Sequence, residues 1–250
     1  MARHFAVIGD PISQSLSPKI HSAAYKVLGI DWDFEAVRVS AGQVRQFLSD
    51  TVKFSGLSVT MPLKFEAFAA SNKLDDGALR TGVVNTLVKT DSGYSGFNTD
   101  IFGIAQAIRN VATRSIAVLG SGATARSAVE AIVSTRPDSE IICYARNEMS
   151  LGQINTTYAC LIETKPLHDY SGREDLTINT IPNYKPEKFN VLLSTSYGDG
   201  HLGQSEISGT EMLLWQALAQ LRIYINGSQD EHLDDEGQIF AAMRGSLTEQ

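Results

Sequence analysis

The segment SIAVLGSGATARSAVEAIV, Ser115 to Val133, constrains the fold more than any other stretch of the chain. Its apolar start reads as a strand buried on both faces. Gly120, Gly122 and Ala125 then give the Gly-x-Gly-x-x-Ala spacing at the opening of a helix. The first glycine permits the tight turn, the second lets a pyrophosphate approach the backbone, and the small third residue lets the helix pack on the strand. Helix N–H groups then face phosphate. Alone, such a match is often just a tight turn. With strand, turn and helix in order it reads as a nucleotide site built on Gly120, Ser121, Gly122 and Ala123.

A site that prefers NAD carries an acidic residue about 20 residues further on, at the end of the next strand. Here that end reads Cys143-Tyr144-Ala145-Arg146-Asn147, and Glu140 lies at the strand's other end. A guanidinium forks onto a 2′-phosphate, so Arg146 favours NADP; the plainer alternative is a solvated surface charge.

Short β-like runs alternate with helical patterns along the whole chain: FAVIG then 18–28, FEAVRV then 41–50, and GLSVT then 62–70. This is the pattern of parallel sheets flanked by helices. VVNTLVKTDSGYSGFN departs from it as a hairpin turning through Thr90-Asp91-Ser92-Gly93, which predicts an antiparallel edge on the first sheet. A second series follows: SIAVLG, helix 123–134, EIICY, an unpatterned 147–173, DLTIN, NVLLS, helix 210–221 and RIYIN, with a helical tail at 230–245. The chain is therefore expected to be an α/β protein of two domains. One spans 1–104 with 228–250 packing back on it, and a Rossmann domain spans 105–227.

Composition narrows the function. Hydrophobic residues make up 43% of the 250, enough for a real core. The net charge of -7 and the lack of a Lys/Arg cluster argue against nucleic acid and membrane surfaces. No run approaches the roughly 18 apolar residues of a membrane span, and Phe5-Ala6-Val7-Ile8 is too short for a secretory signal, so a cytoplasmic protein is expected. Cys143 and Cys160 make no metal spacing with the five histidines; neither a zinc site nor a disulfide framework is expected.

Three polar features sit at the ends of β-like runs, where α/β sheets gather ligands. GDPISQSLSPKIH crowds Ser13, Ser15 and Ser17 together; Ser17 before Pro18 reads as a helix N-cap, which leaves Ser15 for a cap-like turn or for seating a small carboxylate. In SVTMPLK, Lys64 falls in a first helical turn, against the helix dipole; it either snorkels to solvent or works as a proton-transfer amine. Asp100, after Asn98-Thr99, is a good cap. Asn85 places an amide inside an apolar strand, where it must find partners.

Together these motifs resemble the shikimate dehydrogenase family over nearly the whole chain: GDPISQSLSPKIH, SVTMPLK, VVNTL, GFNTDIFG, GSGATAR, YARN, NTIP and GTEMLLWQAL occur in the family's order. The resemblance implies reversible NADPH-dependent reduction of 3-dehydroshikimate to shikimate, in the chorismate route to aromatic amino acids, across a cleft between the two domains of a monomer or homodimer. It implies that Ser15 and Ser17 hold the substrate carboxylate, that Thr60, Asn85, Gln216 and Tyr197 contact the substrate, and that Lys64 and Asp100 form the catalytic pair. Gly120, Ser121, Gly122, Ala123 and Arg146 would hold NADP, with Asn179 and Thr180 lining the cofactor side and Met212 near the nicotinamide. Gln14 departs from the family's histidine, and Ser194-Thr195-Ser196-Tyr197-Gly198-Asp199 departs from its Asp-x-x-Tyr-x-Pro. A quinate-type dehydrogenase and a non-catalytic NADP-binding homologue are the alternatives. The folate dehydrogenases, which share a lysine and a Rossmann domain, lack the paired serines.

Overall fold

The computed structural model describes residues 3–51, 53–158, 161–195 and 204–248; Cys160 and Tyr197 lie outside them. The elements run β1 (Arg3–Gly9), α1 (Ser17–Leu28), β2 (Trp32–Arg38), α2 (Val44–Asp50), β3 (Phe54–Val59), α3 (Lys64–Ala70), β4 (Lys73–Leu74), α4 (Asp76–Thr81), β5 (Thr86–Thr90) and β6 (Gly93–Phe97). They continue with α5 (Asp100–Ala107), β7 (Ser115–Leu119), α6 (Ala123–Thr135), β8 (Glu140–Ala145), α7 (Glu148–Thr157), β9 (Glu163–Pro166), a 3-10 turn (Leu167–Asp169) and β10 (Leu176–Asn179). The last are β11 (Val191–Ser194), β12 (Glu206–Ile207), α8 (Gly209–Asn226) and α9 (Glu236–Gly245).

The chain divides into two compact units, Met1–Thr99 with Gln216–Gln250, and Asp100–Trp215. The return to the first unit comes inside α8, earlier than the 228 read from the sequence. Its cause is packing: Tyr224 packs against Phe5 with ring centroids 4.5 Å apart and the rings tilted by 38°, and Gln220 bonds to Ser58 of β3.

In the first unit the strand order is β2-β1-β3-β5-β6-β4. β1 pairs in parallel with β2 and β3, while β5 runs antiparallel to both β3 and β6. The hairpin is present with Thr90 opposite Gly93, but it is not the edge. The two-residue β4 pairs in parallel with β6 and closes that side. From Phe5 onward β1 is apolar because both its faces are covered. Ala6 and Ile8 join Leu57, Val59, Leu63 and Leu87 on one side, and Phe5 meets Tyr25, Trp32 and Tyr224 on the other. Burying each such large side chain contributes about 2–3 kcal/mol. α9 packs on α1.

The second unit's sheet has the order β12-β11-β10-β7-β8-β9, with every pairing parallel. Counted from β7, this is the doubly wound order 3-2-1-4-5-6, whose switch point lies between β7 and β10. Ile116 and Val118 face Ala128, Val129 and Ile132 of α6, while Ala117 and Leu119 pack with Ile142 and Tyr144. Cys143 is wholly buried and free, and burial pushes its thiol up to about 12, a packing role.

Three local expectations need correction. RIYIN is the last part of α8, not a strand: Leu221, Arg222, Ile223 and Tyr224 are all buried, so the helical period is hidden. Arg222 is accommodated there by a forked pair with Glu236, at 2.6 and 2.7 Å. Ser17 is the first helical residue of α1 rather than its cap, since Leu16 holds the cap position with no side-chain cap bond. Within the unpatterned 147–173, the described residues include α7, β9 and the 3-10 turn.

Candidate active site

The first unit's candidate residues gather at one edge of its sheet. Parallel strands β1 and β3 end there at Gly9 and Val59. Because Ser58 pairs with Thr86 and Thr86 with Phe97, the start of β5 and the end of β6 lie at the same edge. Asn85, 1% exposed, is fixed by the backbone: its N–H donates to Phe97 O and its carbonyl accepts from Val59 N at 2.7 Å. Its side chain is equally engaged. Oδ1 accepts from Thr99 N at 2.8 Å and from Thr86 Oγ1 at 2.9 Å, so Nδ2 must be the donor end, directed at Thr99 Oγ1 (2.9 Å) and Gln216 Oε1 (3.4 Å). The buried amide seen in the sequence has its partners, and two of the predicted substrate residues, Asn85 and Gln216, meet.

Thr60 follows β3 and carries backbone bonds to Ile8 O and from Leu63 N. A Cβ at Gly9 would collide with the Thr60 methyl, so β1 can end this close only as glycine. Lys64 is half-buried and opens α3, and its carbonyl accepts from Val84 N at 3.1 Å, which ties it to the residue before Asn85. Ser15 Oγ accepts from Ser17 N at 3.4 Å, so the paired serines form one turn at the start of α1. Asp100, 4% exposed, opens α5 directly after Thr99; the helix dipole favours a carboxylate there. Asp100 belongs to the second unit by the division above and the remaining first-domain candidates to the first.

Sequence reasoning missed two members of this region. Gln220 and His21, 1% and 0% exposed, are bonded to each other at 3.2 Å, and His21 stacks on Phe34 at 4.2 Å. Burial drives the His21 imidazole down to about 3, against a weaker opposing pull from Gln220, so the ring is neutral. A polar residue on a helix carries no signal in the sequence of partners far away along the chain.

In the second unit, Gly120 takes a φ of +117°, open only to glycine, and a Cβ there would strike Thr180 Oγ1. Gly122 caps α6, has no side-chain cap bond, and would project a Cβ into open space. Ala123 opens the helix, and its first turn contains no acidic residue. Bare N–H groups facing open space are what a phosphate requires. Arg146 is exposed beyond β8, its guanidinium 5.9 Å from the Tyr184 ring centre. It lines a cavity of about 460 Å³ with Ala145, Pro166, Leu167, His168 and Tyr184. An NADP thus fits the residues present: turn for pyrophosphate, guanidinium for 2′-phosphate, cavity for adenosine.

Asn179 and Thr180, at the end of β10 beside that turn, have their side chains engaged. Asn179 Nδ2 donates to Tyr184 O at 2.5 Å and Thr180 Oγ1 to Leu119 O at 2.7 Å. Both tie down the loop bordering the turn. Met212 is buried in this unit's core.

A family model described as the shikimate dehydrogenase substrate binding domain matches residues 7–87. The pentafunctional AROM polypeptide of Candida tropicalis is 32% identical over 202 residues, covering 76% of this chain and 13% of that one. The NADP(+) shikimate dehydrogenase of Nitrosopumilus maritimus is 33% identical over 145 residues, 56% of this chain and 53% of that one. The matched part of this chain thus spans a small fraction of the first relative and about half of the second. The crystal structure of Mycobacterium tuberculosis shikimate dehydrogenase superposes with a TM-score of 0.82 at 27% identity, covering 97% of this chain and 99% of that one. The family model thus places residues 7–87 in the shikimate dehydrogenase substrate binding domain family, and over nearly its whole length the chain shares the fold of a shikimate dehydrogenase.

Proposed function

We propose that this chain catalyses the reversible NADPH-dependent reduction of 3-dehydroshikimate to shikimate, as a cytoplasmic monomer or homodimer serving chorismate and aromatic amino acid biosynthesis. The first unit, with the start of α5, takes the substrate; the second takes the cofactor. One observation carries the reading. Ser17, Ser58, Asn85, Thr86, Thr99 and Gln216 put uncharged donors and acceptors in the buried end of the first sheet, where apolar side chains are the default. Neutral hydrogen-bonding groups in that density suit a ligand rich in hydroxyls.

Ser15 and Ser17 hold the substrate carboxylate, while Thr60, Asn85 and Gln216 hold the ring hydroxyls. The Tyr197 contact lies outside the described residues. When bound, NADPH would supply the hydride for the carbonyl carbon. Lys64 delivers a proton to the carbonyl oxygen and polarises it beforehand, and Asp100 is its acidic partner. In the reverse direction the lysine takes the hydroxyl proton. Gly120, Ser121, Gly122 and Ala123 bind pyrophosphate, Arg146 selects the 2′-phosphate, and Asn179, Thr180 and Met212 border the cofactor.

Purified protein given shikimate and NADP tests this through the absorbance of reduced nicotinamide, with quinate and NAD as the alternative pair. Reduction that is fastest with shikimate and NADP is expected; NADP binding without turnover of either acid would refute it.

A further inference from the structure

We infer that Gln220 is a positioning residue for the substrate site, holding a second layer of polar groups beneath the residues that touch substrate. The inference rests on the functional reading above. The side-chain amide of Gln220 is buried and makes four hydrogen bonds. Oε1 accepts from Ser58 Oγ at 2.8 Å and faces His21 Nε2 at 3.2 Å; Nε2 donates to Asn85 O at 3.3 Å and to Thr86 Oγ1 at 3.0 Å. These use its full capacity of two acceptor sites and two donors. The Asn85 carbonyl can only accept, so the amide cannot flip. His21 Nε2 must then carry the ring proton, which leaves His21 Nδ1 buried without a hydrogen-bond partner.

Gln220 and two of its partners, His21 and Ser58, each lie one structural period from a candidate substrate residue. Gln220 is one helical turn beyond Gln216 on α8, and His21 one turn beyond Ser17 on α1. Ser58 is two residues before Thr60, on the same side of an extended chain, and Asn85 is itself a candidate. One side chain therefore ties together the four segments that present Ser17, Thr60, Asn85 and Gln216. It also holds Thr86 Oγ1, which donates to Asn85 Oδ1 at 2.9 Å and so helps decide which end of the Asn85 amide faces Gln216.

Gln220→Met keeps length and approximate volume and removes all four bonds. KM and calorimetric Kd for shikimate should rise about tenfold, with kcat changed less and the Kd for NADP within about twofold of the original. A lower Tm with shikimate KM unchanged at a temperature where the variant is folded would mean a merely structural role and overturn the inference. So would an equal loss of affinity for shikimate and NADP. If the methionine variant does not fold, Gln220→Glu is read the same way; it keeps both acceptor contacts and sets an oxygen against the Asn85 carbonyl. An unmodified protein that turns over no shikimate would refute the functional reading itself. An active one whose Gln220 variants keep the original shikimate KM would refute this inference alone.

Discussion

The two sheets offer polar groups at their strand ends by different means. In the first unit the polarity resides in side chains: Asn85, Thr86, Thr99, Gln216 and Gln220 are buried and locked by bonds to one another or to nearby backbone. In the second it resides in the backbone: Gly120 bends, Gly122 leaves space, and α6 opens with N–H groups that no side chain caps. A side-chain network matches the hydroxyl pattern of one ligand. A backbone turn fits a phosphate whatever the rest of the ligand is. On the proposed function, substrate choice would be written in residue identities and cofactor binding in conformation, with Arg146 adding the discrimination.

The largest effect expected from disturbing this contrast is on chemistry. Lys64→Ala should lower turnover by about a thousandfold, within the range for a lost acid–base group, while calorimetry finds shikimate binding largely retained. Near-normal turnover would remove Lys64 from the mechanism.

On the backbone side, Gly120→Ala should destabilise the protein by about 3 kcal/mol through its positive φ and the collision with Thr180, and should weaken NADP in whatever folds. Gly227, at φ +82° with open space for a Cβ, is the matched control, expected to cost about 1 kcal/mol in urea unfolding. Equal losses at both would show that the crowded turn has no special role.

A smaller, pH-dependent effect belongs to the side-chain network. Folded His21 titrates at about 3 against 6.5 for a free histidine, so below 6.5 the unfolded chain takes up a proton that the folded chain refuses. The stability present above pH 6.5 is lost as pH falls toward 3, by about 1.4 kcal/mol per pH unit. His21→Gln should flatten that part of the pH dependence in urea titrations; identical slopes would show that His21 is not buried neutral.

Much of this contrast was legible in the sequence because its causes are local. The turn of Gly120 and Gly122 is spelled out by spacing, and strands covered on both faces read as apolar runs. What was lost is non-local or marginal. β9 is four partly exposed residues at a sheet edge, so no alternation marked it. β4 is only two residues long, and without it the hairpin looked like the edge. RIYIN looked like a strand because Ile223 and Ile225 are β-branched and four successive residues, Leu221 to Tyr224, are buried, which hides the helical period. Ser15, Ser17, Thr60, Lys64 and Asn85 could be named from their motifs. Gln220 could not, since its bonds reach residues 134, 135, 162 and 199 positions away.

The most direct test of the division of labour is a crossed calorimetric titration of Asn85→Asp and Arg146→Ala, each with shikimate and with NADP. Asn85→Asp removes the donor toward Gln216 with little change in shape; it should weaken shikimate by at least about tenfold and leave NADP alone. Arg146→Ala should weaken NADP by about tenfold or more, narrow its preference over NAD, and leave shikimate alone. Variants that each lost both ligands equally, or lost the opposite one, would contradict the account.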